Sequence, residues 1–125
     1  MMKKYTTTKM NKYYVTKTVA KLLQEHGFQL ACEQAYDVSG NGNIILPSVL
    51  IEKKIPAPTI AEALDWFEWK RYNIWVQCTL GQKPMYYCKV WKTFKNNKEA
   101  EFMFLTDDYI SRYQALNAAF EQILK

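Results

Sequence analysis

Apolar residues return at helical spacing near the start of the chain: Val15, Val19, Leu22, Leu23 and His26 fall on one face. The spacing predicts a helix from about Val15 to His26, ended by Gly27 as a left-handed cap. The period then changes. FQLACEQAY (28–36) and about IILPSVLIEKK (44–54) read as two extended segments joined through SGNGN, whose Gly and Asn supply the positive φ of a turn. Pro47 cannot donate to a strand ladder, so the second segment is an edge strand or begins after the proline. IPAP (55–58) breaks the chain, and Thr59 with Glu62 forms a capping box for a helix from Ile60 to about Arg71. Ile60, Ala63, Leu64 and Phe67 share its inward face, and Trp69 points nearly opposite.

Alternation governs the next stretch. NIWVQCTL sets Ile74, Val76, Cys78 and Leu80 against Trp75, Gln77 and Thr79, and MYYCKVWKTF sets Tyr86, Cys88 and Val90 against Tyr87, Lys89 and Trp91. AEFMFL is a third strand, and Ser111 with Gln114 caps a closing helix to about Leu124, with Leu116, Ala119, Phe120, Ile123 and Leu124 inward. The chain therefore reads as an α+β fold, an antiparallel sheet with helices in the order α-β-β-α-β-β-β-α. It forms one domain: a basic arm at 1–14, helix plus hairpin at 15–54, a Pro-containing linker at 55–58, and helix, three strands and helix at 59–125. Both later helices are expected on one face of the meander. The other face then carries Trp75, Tyr87, Trp91 and Lys89, and the first hairpin and helix are its nearest cover; the alternatives are a protein or self-association interface and a base-stacking platform.

Charge adds an asymmetry. The formal net charge is +5, yet Lys3, Lys4, Lys9, Lys12, Lys17 and Lys21 give the first 21 residues +6 and leave the remainder at −1. The arm reads as a solubilising tail that can hold phosphates at low salt. No apolar run approaches the roughly 20 residues of a membrane span, and the N-terminus lacks the apolar stretch of a signal peptide, so a cytoplasmic protein without membrane contact is expected. Cys32, Cys78 and Cys88 are odd in number, lack CxxC spacing and read as buried thiols.

Catalytic, metal and cofactor sites are not expected. His26 is the only histidine and suits a helix C-terminus; Asp107 and Asp108 lie at a strand-to-helix turn where Asx side chains satisfy backbone donors; Ser111 is used as a cap. SGNGN lacks the Lys-Ser/Thr ending of a phosphate loop. Trp69, with Tyr72 and Trp66, is the candidate partner site, because an exposed aromatic without a packing role resembles an interface hot spot. Lys3, Lys4, Lys9, Lys12, Lys89, Lys92, Lys95 and Lys98 form the alternative, a nucleic-acid surface.

The helix, three strands, helix order over 58–125, closing in SRYQALNAAFEQIL, resembles the double-stranded-RNA-binding-domain fold. In that family the last helix opens with lysines that grip phosphates; the matching positions here hold Arg112, Tyr113 and Leu116, so the resemblance implies the topology without the RNA grip. VAKLLQEHGF (19–28) and IPAPTIAEALDWFEWKRYNIWV (55–76), followed by the closing helix, resemble small proteins of prophages and mobile elements in Bacteroidetes. That family has no assigned activity, so the resemblance implies a context. The expected function is a small non-catalytic binding module acting on a protein partner or a second copy of itself, with a nucleic-acid-binding accessory role as the alternative.

Overall fold

The computed structural model describes residues 14–29, 32–38, 45–50, 53–94 and 99–125. SGNGN, the lysines of the arm, Lys95 and Lys98 lie outside them. The chain is α+β: helices α1 (Lys17–Glu25), α2 (Ile60–Trp69) and α3 (Arg112–Leu124), and strands β1 (Gln34–Asp37), β2 (Ile45–Pro47), β3 (Lys54–Pro56), β4 (Tyr72–Cys78), β5 (Tyr86–Thr93) and β6 (Ala100–Leu105). The order follows the expected one, except that the second predicted strand shortens to β2, a 3₁₀ turn follows at Ser48–Leu50, and a further strand, β3, begins at Lys54. Two compact units are formed, Met1–Ala63 with Leu124–Lys125, and Leu64–Ile123. Among the described residues no helix is long and apolar enough to cross a membrane.

In the first unit β1 is the central strand of a three-stranded antiparallel sheet ordered β2-β1-β3. Tyr36 pairs with Ile45 on one side and Ile55 on the other. Pro47 and Pro56 both sit on edge strands, where a missing N–H disrupts no inner ladder, and this corrects the linker reading of IPAP: its first two residues finish β3. Helix α1 packs against β3 and buries Val19, Ala20 and Leu23. Its ends are chemically determined. Thr16 Oγ1 accepts from the Val19 N–H, and at the other end Gly27 adopts φ +91°. The Phe28 N–H then reaches the Leu23 carbonyl and the Gly27 N–H the Gln24 carbonyl, the paired bonds of a Schellman cap. The Tyr36 hydroxyl donates to the Val15 carbonyl at 2.6 Å, satisfying a buried polar group.

The capping box of α2 is present in both directions: the Thr59 N–H donates to Glu62 Oε1 at 2.8 Å and the Glu62 N–H to Thr59 Oγ1 at 3.1 Å. Thr59→Ala removes one of these bonds and should cost about 1 kcal/mol in chemical denaturation. The other end of α2 is unusual. Arg71 occupies the left-handed region at φ 75°, the position that Gly27 fills after α1. Its N–H bonds the Glu68 carbonyl at 2.8 Å and its carbonyl accepts from the Thr93 N–H at 2.9 Å, so the turn is held at both sides. A β-branched residue pays more for this conformation than arginine does, and Arg71→Val should destabilise by about 1–2 kcal/mol, read from the denaturation midpoint.

The second unit contains the sheet ordered β4-β5-β6, antiparallel throughout. Cys88 and Val90 of β5 and Ala115 and Ala119 of α3 are wholly buried together, flanked by Tyr72, Ile74, Val76, Tyr86, Phe104, Leu116 and Ile123. Small residues on α3 let the helix lie close to the strand, and Ala115 belongs to this inward stripe although the apolar pattern did not include it. From α2, Phe67 stacks on Phe120 of α3 at 4.9 Å and meets the Tyr72 ring edge-on at 6.2 Å. Both helices therefore contribute to one side of this sheet, as expected. The alternation of β4 fails at its end: Cys78 is exposed and Leu80, beyond the strand, is fully exposed. Of the three cysteines only Cys88 is the expected buried thiol, and burial pushes it up to about 12; Cys32 is half-buried.

Candidate binding surface

Of the expected cluster, Trp66 and Trp69 share one cation, Lys70 Nζ lying 5.4 Å from the Trp66 centroid, while Tyr72 faces the packed side of the sheet. Trp69 is 75% exposed on α2, with Lys70 Nζ 5.0 Å from its ring centroid. Trp66 is half-buried and meets Phe67 edge-on at 5.1 Å. Tyr72 lies on the helix-bearing side of the sheet, under Phe67, with Lys92 Nζ 5.1 Å from its ring. Two open hollows adjoin this corner, about 260 Å³ lined by Leu64, Glu68, Tyr72, Asn73, Ile74 and Trp75, and about 360 Å³ lined by Glu68, Trp69, Arg71, Asn73 and Thr93.

The opposite side of the same sheet is different in kind. Register places three rows of side chains on it: Gln77 beside Tyr87; Trp75, Lys89 and Leu105; Asn73, Trp91 and Phe102. Trp75 and Trp91 are 6.4 Å apart by ring centroid, and Trp91 meets Phe102 edge-on at 5.2 Å, so aromatic contact runs across all three strands. The Tyr87 hydroxyl donates to Gln77 Oε1 at 2.7 Å. Trp75 is 56% exposed, Phe102 47% and Leu105 51%. More than half of the Trp75 surface meets solvent. Trp75→Ala should accordingly cost less than about 1 kcal/mol of stability, well below the loss expected at a buried aromatic.

Phe102 joins this face because of an irregularity. Between the Val90–Phe104 and Trp91–Phe102 pairs the register shifts by one residue, leaving Met103 as the extra residue of a bulge. In a regular strand Phe102 and Phe104 share a side; the bulge sends Phe104 to the core and Phe102 outward. Strict alternation in AEFMFL carries no sign of this, so the sequence reading missed Phe102 and Leu105.

The electrostatics of the face are simple. Lys89 is the one charged residue that register places there, and Glu101, paired with Lys92, belongs to the other side. The indole Nε1 of Trp91 is buried without a hydrogen-bond partner, a donor left unsatisfied at a cost of about 1–3 kcal/mol. Of the candidate nucleic-acid lysines, Lys89 is on the aromatic face, Lys92 is over Tyr72, and the other six lie outside the described residues. Elsewhere, His26 Nε2 lies 2.8 Å from the Leu124 carbonyl, a structural contact, and Thr106 Oγ1 accepts from the Cys88 N–H. Among the described residues no group of His, Cys, Asp and Glu is placed to hold a metal ion.

No family model, curated protein or solved structure matches this chain.

Proposed function

We propose that the protein is a non-catalytic binding module, and that its contact surface is the open face of the β4-β5-β6 sheet. The observation carrying this reading is the aromatic band from Trp75 through Trp91 to Phe102, with its two outer members about half exposed. Large aromatics in mutual contact on a solvated sheet face lose much unfavourable hydration when a partner covers them, and they are rigid, so little side-chain entropy is lost on contact. The α2 corner supports the reading less well, since Trp66 and Tyr72 there are engaged in packing. The resemblance to prophage and mobile-element proteins gives the context, a small accessory factor acting in the cytoplasm.

The test compares wild type with Trp75→Ala/Phe102→Ala in three assays: sedimentation for self-association, retention of host proteins on the immobilised chain, and retention of single-stranded nucleic acid. With the fold retained, the double variant should lose at least one of these associations. Equal behaviour in all three would overturn the assignment of this face.

A further inference from the structure

Resting on that reading, we infer that the occupant of the open sheet face is single-stranded nucleic acid, its bases stacking on Trp75, Trp91 and Phe102 and its backbone drawn to Lys89. Three observations favour this occupant. Adjacent rows along a strand are about 7 Å apart, and the Trp75 and Trp91 centroids are separated by 6.4 Å, which is room for separate bases on separate rings. Aromatic side chains on an open sheet are a general means of stacking unpaired bases, with little dependence on sequence because every base has a π-face.

The charge on the face agrees. Register places no carboxylate among these rows, and Lys89 stands between Trp75 and Leu105 in the middle row. A polyanion meets no repulsion there. The amides of Asn73 and Gln77 flank the rings, giving base edges polar neighbours. Beyond the face, the first 21 residues carry +6, a further source of attraction for phosphates.

The same arrangement argues against the other occupants. Lysine is depleted from the centres of protein interfaces, yet Lys89 is central here. A second copy docked through this face by two-fold symmetry would bring two Lys89 ammonium groups together in a partly desolvated contact. Duplex nucleic acid keeps its bases stacked on one another and offers no free base faces to the rings.

The experiment measures fluorescence anisotropy of labelled oligothymidine and oligouridine, about 12 nucleotides long, with the full chain, starting near 50 mM salt. Binding should be present, weaken steadily as salt rises, and exceed binding to a duplex of the same length. Trp75→Ala and Phe102→Ala should each weaken it about tenfold, and Trp75→Phe, which keeps a stacking ring, should restore most of the loss. Lys89→Ala should lower the salt slope by about 1. Thermal unfolding of each variant shows whether its fold is intact.

Absence of binding to either oligonucleotide at the lowest salt would overturn the inference. So would undiminished binding by Trp75→Ala/Phe102→Ala, which would assign the attraction to the lysine-rich N-terminal stretch. If the wild type ignores single strands while the double variant loses self-association or a protein partner, the nucleic-acid inference fails and the contact-surface reading stands.

Discussion

Phe120→Ala should lower the stability of the protein by about 4 kcal/mol in chemical denaturation. Phe120 is wholly buried, and its ring lies nearly parallel to Phe67, 4.9 Å between centroids and 14° between planes. Truncation removes the apolar area of one ring and also strips Phe67 of its stacking partner, so a cavity opens between α2 and α3. Ala119 and Ala115, the small neighbours along α3, are too short to fill it. Phe120→Leu keeps most of the volume and should lose much less. A midpoint unchanged in Phe120→Ala would mean that the aromatic pair does not hold the second unit together.

Leu23→Ala should have a comparable effect in the first unit, a loss of about 3 kcal/mol. Leu23 is wholly buried on the inward stripe of α1, and its carbonyl accepts the Phe28 N–H in the cap that ends the helix. Phe28 is itself only 5% exposed, and an apolar contact between these two positions ordinarily accompanies such a cap. The substitution therefore weakens both the face of the helix and its termination. Leu22→Ala, one residue earlier and only half-buried, provides the comparison and should cost clearly less. Equal losses at the two positions would mean that the α1 face is rotated from the one described.

Cys88 implies a pH dependence of determinate sign. Burial raises its thiol to about 12 from an ordinary value of 9.0. The unfolded chain therefore gives up this proton at lower pH than the folded protein, and the folded state loses stability as pH rises from about 9 towards 12. Cys88→Ala should flatten that decline in denaturation series above pH 9, leaving the contributions of Cys32, which burial and Glu62 push up to about 11, and of Tyr14 and Tyr113, both raised by burial.

Local signals were well expressed in the sequence where short-range chemistry decides. The Thr59–Glu62 box, the Gly27 cap, the β5 segment and β4 as far as Gln77 appear as read, because capping spacing and strand alternation act within a few residues. The course of 44–54 was less legible. Whether an apolar run with a proline stays one strand depends on which neighbour pairs with it, and here β1 takes a partner on each side, so β2 stops at Pro47 and the second partner, β3, begins only at Lys54 and extends into IPAP.

The open face of the β4-β5-β6 sheet was half visible. Trp75, Tyr87, Lys89 and Trp91 follow from the period of two, but their exposure does not, since a sequence pattern assigns sides without saying which side is covered. Phe102 was hidden by the bulge at Met103, a long-range register effect with no local motif. Trp69 drew attention for its isolation among polar residues, yet the residues read with it, Trp66 and Tyr72, pack against Phe67.

The chain has four tryptophans, Trp66 and Trp69 on α2 and Trp75 and Trp91 on the sheet face, so its four indole N–H signals in a ¹⁵N-labelled sample report the two candidate surfaces separately. Titrating oligothymidine into that sample tests the account directly. The signals of Trp75 and Trp91 should move progressively while those of Trp66 and Trp69 stay in place; movement of Trp66 and Trp69 alone, or of none of the four, would contradict it.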